Sequence, residues 1–285
     1  MRSHPECLPC LAKNVLDIAK LLSDDEAEQV SLLRGGMSCL ASCDMRMPPP
    51  FHLHEVWDLA QASAKNANPN PYAELKKAST RLALEVASHL GDLPNYNPES
   101  FEDRLRLATA GNILDFGIYR NLDKETALNA IADAFKREID LKAVARLEQK
   151  ILDAKSIMYI LDNCGEAVFD RIFMQPHQDK VTYATRGGFT LNDITRAELK
   201  ESGFENCKVL DSGNNIPGTI LEYCCADFRK AFDSADLIIA KGQGNFETLE
   251  STEKPIAFLF MAKCTTVCGK LGARQNSVQV KLMNF

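Results

Sequence analysis

Over roughly the first half of the chain, apolar residues return every three or four positions in segments rich in Ala, Leu, Glu and Lys, the period of an amphipathic helix. Leu11, Val15, Ile18 and Leu22 make one such stripe, and a second runs from Tyr72 to Leu90, where Gly91 supplies a stop. Pro48-Pro49-Pro50 and the Asn66 to Pro71 stretch interrupt the pattern. From about residue 151 the rhythm changes to short β-branched or aromatic runs separated by amphipathic segments. Candidate strands are Ile157 to Leu161, Val181 to Thr185, Lys208 to Leu210, Leu237 to Ala240 and Ile256 to Phe260, with a sixth at Val278 to Leu282. Helices are expected at Ala167 to Met174, Asp193 to Glu201 and Ile220 to Ala231. The alternation predicts an α/β fold with a doubly wound, mostly parallel sheet in residues 151–285, behind a helical N-terminal subdomain of residues 1–150.

Composition narrows the function. Of 285 residues, 45% are hydrophobic and 25% charged, ordinary globular values that exclude disorder and fibrous architectures. A net charge of −6 argues against a general grip on the phosphate backbone of nucleic acid, so any anion must be held locally. No apolar run approaches the roughly 18 residues needed to cross a bilayer, and Met1 to Glu6 lacks the apolar stretch of a signal peptide. A soluble, cytoplasmic protein with no membrane partner is the expectation. Ten cysteines, several in close pairs (Cys7/Cys10, Cys39/Cys43, Cys224/Cys225, Cys264/Cys268), read better as reduced thiols or a metal site than as a disulfide scaffold.

In an open parallel sheet the loops after the strands converge on one crevice. Those loops carry Asp162-Asn163-Cys164-Gly165-Glu166, Arg186-Gly187-Gly188, Asp211-Ser212-Gly213, Lys241-Gly242-Gln243-Gly244-Asn245-Phe246-Glu247 and Lys263-Cys264. Asp162 and Asn163 are adjacent hard oxygen donors. With Asp193, expected at the start of the next helix, they suit Mg²⁺ or Mn²⁺. Lys241 adds a point positive charge, and the glycines behind it let backbone N–H groups approach an anion. A carboxylate-bound cation beside a Lys–Gly loop is a site for phosphate chemistry, with Arg186, Gly242, Gly244, Asn245 and Glu247 as candidate substrate contacts.

Plainer readings stand beside these. An Asp after a strand often caps the next helix, which applies to Asp162 and Asp193 alike. Gly242-x-Gly244 alone is also compatible with a tight turn. In the helical half, Asn112 and Asp115 share a helix face and fit a substrate contact or a buried capping network equally well. His52 and His54 are two apart, point away from each other on a helix, and read as surface or packing residues. Cys7-Leu8-Pro9-Cys10 has metal or redox spacing but needs further ligands, which Cys39 and Cys43 would supply in space, and small buried thiols are the alternative. Cys224-Cys225 reads as helical core.

At these residues the sequence resembles the metal-dependent damage-control phosphatases, long known only as a domain of unknown function, and in particular the stand-alone microbial branch, subfamily I of the nucleotide phosphatases. Cys7-x-x-Cys10, Gly244-Asn245-Phe246-Glu247 and Lys263-Cys264 appear in that branch's order and span most of the chain. The resemblance implies a helical N-terminal part packed on a three-layer αβα domain, with Mn²⁺, Ni²⁺, Co²⁺ or Mg²⁺ in the cleft. It matches the metal-binding residues to Asp162, Asn163 and Asp193, the phosphate-binding lysine to Lys241, and a Gly-Asn segment to Asn112 and Asp115. It also implies hydrolysis of small phosphomonoesters: sugar phosphates, nucleotides or damaged metabolites.

The expected reaction is attack of water on phosphorus, assisted by the cation, with Lys241 and loop amides neutralising charge on the equatorial oxygens. An aspartyl-phosphate route is less suited, because Cys164 stands where a second acid is needed. Three rivals remain at this level: a carboxyl methyltransferase using S-adenosylmethionine, a non-catalytic binder of phosphorylated metabolites, and a redox module built on the cysteines.

Overall fold

The computed structural model describes residues 1–93, 96–111 and 124–285. Seven helices come first: α1 (Cys7–Leu22), α2 (Glu26–Ala41), α3 (Pro49–Ser63), α4 (Ala73–Ser88), α5 (Phe101–Ala110), α6 (Lys124–Phe135) and α7 (Leu141–Asp153). The apolar stripe of α1 buries Leu11, Val15 and Ile18 as its spacing predicts. The proline run does not simply break the pattern. It starts α3, since a proline in the first helical turn lacks only an N–H that would have no helical partner there. Both histidines of α3 are packing residues: His52 is buried with Nδ1 3.1 Å from Glu55 Oε2, and His54 lies 3.5 Å from Asp58.

Strands and helices then alternate: β1 (Ile157–Ile160), α8 (Cys164–Met174), β2 (Val181–Thr185), β3 (Lys208–Asp211), α9 (Ala226–Ser234), β4 (Leu237–Lys241), α10 (Gln243–Leu249), β5 (Ile256–Met261), α11 (Thr265–Leu271) and β6 (Val278–Met283). Their spatial order is β3-β2-β1-β4-β5-β6, parallel except for the antiparallel pair of β5 with β6. All six expected strands are present, and the sheet is doubly wound. Two expected helices are not as drawn. Residues 193–201 form turns, and 220–231 splits into a short 3₁₀ turn (Leu221–Tyr223) and α9, so that Cys224 and Cys225 precede the helix; Cys224 is buried.

Strand alternation sorts the core into two faces. Ile157, Tyr159 and Leu161 pack with α5, α7 and α8, while Met158 and Ile160 pack with α9, α10 and α11. Phe101, Leu105, Val144, Leu147 and Ile151 belong to the first face, so the helices before residue 151 supply one outer layer of the αβα sandwich. The change of rhythm near residue 150 is therefore a change of local structure within one core. Helices α4, α5 and α6 pack with Val168 and Phe169 of α8 in a further cluster, and α1 to α3 gather around another that includes Val56 and Trp57. Among the described residues, no helix is long and apolar enough to cross a membrane.

The α4–α8 contact is close enough to demand glycine. A Cβ at Gly165 would stand 2.2 Å from Ser79 Oγ and 3.1 Å from the Ser79 carbonyl oxygen. Gly165→Ala is expected to cost about 1–3 kcal/mol through overpacking, read as a lowered urea midpoint with an unchanged slope.

Candidate active site

The strand order reverses between β1 and β4, and the crevice at their carboxyl ends is where a doubly wound sheet places ligands. A cavity of about 290 Å³ opens there. Its floor includes Asp162, Asn163, Asn192, Asp193, Gln243, Gly244, Glu247, Lys263 and Cys264, and its roof carries Leu11, Pro49, Pro50 and Leu53 from α1 and α3.

Backbone pairing brings the three expected metal-binding residues together. After β2 the chain doubles back: Ile194 N–H donates to the Asp162 carbonyl at 2.8 Å, Cys164 N–H to the Asn192 carbonyl at 3.2 Å, and Asn163 and Asp193 form an antiparallel bridge. Asp193 is thus held by a strand-like bridge, not by the helix expected from sequence. Leu191 adopts φ +42°, a left-handed conformation uncommon for a branched side chain, at the point where the loop turns into the cavity.

Asp162 does not cap α8; the N-cap position falls to its neighbour Asn163, whose side chain makes no cap hydrogen bond. Its Nδ2 instead donates to Asp162 Oδ2 at 3.1 Å and to Glu166 Oε2 at 3.4 Å. From there a chain of polar contacts enters the sheet. Lys241 Nζ lies 2.6 Å from both Glu166 Oε1 and Asp170 Oδ1 and donates to the Ala108 carbonyl at 2.9 Å, while Tyr159 O–H donates to Asp170 at 2.8 Å.

This geometry corrects the expected role of Lys241. It ends β4 on the α5–α8 face, its side chain is fully buried, and it does not line the cavity. Burial works against its charge, but Asp170 and Glu166 outweigh that and hold its pKa above the ordinary lysine range. Burial raises Asp170 to about 7, with Lys241 opposing the rise. Arg186 and Asn245 likewise stand behind the cavity wall. Arg186 donates from Nε to Asp193 Oδ2 at 2.7 Å, and from its other nitrogens to Thr219 Oγ1 and Asn245 Oδ1. Asn245 donates to the Lys241 carbonyl at 2.7 Å and accepts from Thr219 O–H at 2.8 Å. All three act through other residues because buried charges and amides must be partnered inside the protein.

Gly242, with φ +80°, also lies behind the wall: a Cβ there would sit 2.1 Å from Asp162 Oδ2. Gly244 and Glu247 line the cavity. Asn112 and Asp115 lie outside the described residues. Lys263, which the sequence offers only as part of the Lys263-Cys264 pair, is the one lysine or arginine among the described lining residues. It follows β5 as Lys241 ends β4, so the strand-end rule that singled out Lys241 applies equally to it.

Burial and like charge both act on the acids at this rim. Burial raises the Asp162 pKa well above the carboxylate range, and repulsion from Asp193 and Glu166 adds to the rise, while Arg186 and Lys263 oppose it. Two carboxylates and an amide side chain at one rim form a hard-oxygen donor set of the kind Mg²⁺ or Mn²⁺ takes. Among the described residues, no three His, Cys, Asp or Glu side chains gather to hold a metal, so that set depends on the amide. Cys7 and Cys10 line the cavity; Glu247 and Cys264 act on both, Cys10 also on Cys7 and Lys13 on Cys10, and neither Cys39 nor Cys43 is among these groups. Burial raises both thiols, and all ten cysteines are free.

A crevice at a sheet switch point is where a doubly wound fold places a small ligand, and comparison with known proteins specifies the class. Residues 3–278 match the damage-control phosphatase ARMT1-like domain, and the chain belongs to that family. A damage-control phosphatase of Pyrococcus horikoshii is 34% identical over 283 residues, covering 95% of this chain and 94% of its own. One from Archaeoglobus fulgidus is 27% identical, covering 99% and 100%. An uncharacterized protein of Methanocaldococcus jannaschii is 34% identical, covering 95% and 92%. The crystal structure of a DUF89 family protein from Pyrococcus horikoshii superposes with a TM-score of 0.87 over all of both chains, at 28% identity. Family membership supports a phosphatase role.

Two substitutions test the site's construction. Lys241→Met leaves Glu166 and Asp170 without their buried counter-charge and is expected to lose about 3–5 kcal/mol of stability, measurable by urea denaturation. Gly242→Ala forces a Cβ onto the Asp162 carboxylate from a left-handed backbone and is expected to cost about 1–3 kcal/mol, with a shifted thermal midpoint as the readout.

Proposed function

We propose that this chain is a metal-dependent phosphatase that hydrolyses small phosphomonoesters, such as nucleotides, sugar phosphates or damaged phosphorylated metabolites, by attack of water. The observation that carries the reading is the joining of Asp162, Asn163 and Asp193, two carboxylates and an amide, at one rim of a metabolite-sized cavity, a hard-oxygen set suited to a divalent ion.

In this reading Asp162, Asn163 and Asp193 hold a divalent ion, Mn²⁺, Ni²⁺, Co²⁺ or Mg²⁺. When bound, it would neutralise charge on the phosphoryl group and make water a better nucleophile. The remaining work falls to the chain. Arg186 fixes the Asp193 carboxylate, and Glu166, itself anchored by Lys241, orients the Asn163 amide. Lys263 brings positive charge to the cavity wall for the ester's phosphoryl oxygens. Leu11, Pro49, Pro50 and Leu53 close the side opposite the carboxylates and limit water around the reacting group.

Asp162→Ala is expected to remove metal-dependent release of phosphate from 4-nitrophenyl phosphate while leaving the urea midpoint near that of the parent. Parent activity is expected to vanish in chelator and return with Mn²⁺ or Co²⁺. Full turnover by the variant, or turnover by the parent in chelator, is the result that rejects the assignment.

A further inference from the structure

The phosphatase reading accounts for the cation and the phosphoryl group but leaves the departing oxygen without a proton source. Expulsion of an alkoxide is slow unless a proton reaches it as the bond breaks. Among the described residues that line the cavity, Glu247 stands apart from the acids at the cation rim. It lies near enough to the Cys7 and Cys10 thiols to act on both, and it is only 7% exposed. Gln243 Nε2 donates to its Oε1 at 2.8 Å, and the Gln243 side-chain oxygen accepts the Lys263 N–H at 2.8 Å, so one carboxyl oxygen is fixed by a bridge between α10 and the β5–α11 loop.

We propose that Glu247 is the general acid that protonates the leaving oxygen, which makes esters of ordinary alcohols, and not only activated aryl esters, the substrate class of this site. The inference rests on the phosphatase reading above. Water attacks phosphorus and a new P–O bond forms as the bond to the leaving oxygen breaks. The bonding pair stays on that oxygen, which takes the Glu247 proton and departs as the alcohol. The attacking water releases one proton to solvent and keeps the other on phosphate. Glu247 regains a proton from solvent, so ester and water become alcohol and hydrogen phosphate.

The surroundings keep that proton in place near neutrality. Burial pushes Glu247 up to about 7, against the Gln243 hydrogen bond and the Met1 ammonium, which donates to the Glu247 carbonyl. The other titratable groups around it are the Cys7, Cys10 and Cys264 thiols, Glu6 and Lys263 on the cavity wall, and the Glu250–Lys270 pair beside Met1. A carboxylic acid that is half protonated near the working pH is matched to proton donation.

The test compares kcat/KM for a series of phosphomonoesters, from 4-nitrophenyl through phenyl to simple alkyl, in the parent and in Glu247→Gln, each saturated with Mn²⁺. The variant's loss is expected to grow as the leaving group becomes more basic, exceeding the 4-nitrophenyl loss by about 10²-fold or more for alkyl esters. An equal loss across the series overturns the proposal. The parent alone gives a second reading that needs no variant to fold. As pH rises through about 7, turnover of phenyl phosphate is expected to fall relative to that of 4-nitrophenyl phosphate, because the acid form is lost. A ratio independent of pH overturns the assignment. If the parent hydrolyses none of these esters with Mg²⁺, Mn²⁺, Co²⁺ or Ni²⁺, the phosphatase reading itself fails, and this inference with it.

Discussion

Concentrating acidic side chains at the carboxyl ends of the central strands is the constraint that organises this molecule. Asp162, Glu166, Asp170 and Asp193 converge where the strand order reverses, and like charges at such spacing repel strongly once water is excluded. The fold answers with two buried cations set behind the cavity, Lys241 against Glu166 and Asp170, and Arg186 against Asp193. The compensation is deepest on the sheet side and weakest at Asp162, so the demand for positive charge appears at the cavity surface.

That arrangement explains why several polar residues face inward. Asn163 gives up capping to bridge two carboxylates, and Gly242 has no side chain because the Asp162 carboxylate occupies the space. Asn245 ties the Lys241 carbonyl to Arg186, linking the two buried cations through one amide. The rim is therefore rigid on the side of the sheet. The opposing apolar wall comes from helices α1 and α3 around a separate core.

Much of this was legible in the chain. Strand alternation, the position of Asp162 and Asn163 after β1, and the convergence of the loops followed from periodicity and topology. Misreadings arose where long-range pairing overrode local pattern. Residues 193–201 have helical composition, but the bridge of Asp193 to Asn163 holds the segment as turns. Lys241 reads from sequence as a point positive charge for an anion, and the sequence does not reveal that its partners are Glu166 and Asp170, because that depends on which face of the sheet the last residue of β4 meets. The link from Cys7 and Cys10 to Cys264 is separated by more than two hundred residues, and no local spacing encodes it.

The two walls of the cavity belong to different cores, and this has an evolutionary consequence. Leu11 and Leu53 sit with the cluster around Val56 and Trp57, whereas the acidic rim is braced from within the sheet. Replacements among the roof residues can alter which molecules fit without reaching the brace. Selectivity and reactivity can therefore diverge separately on this scaffold.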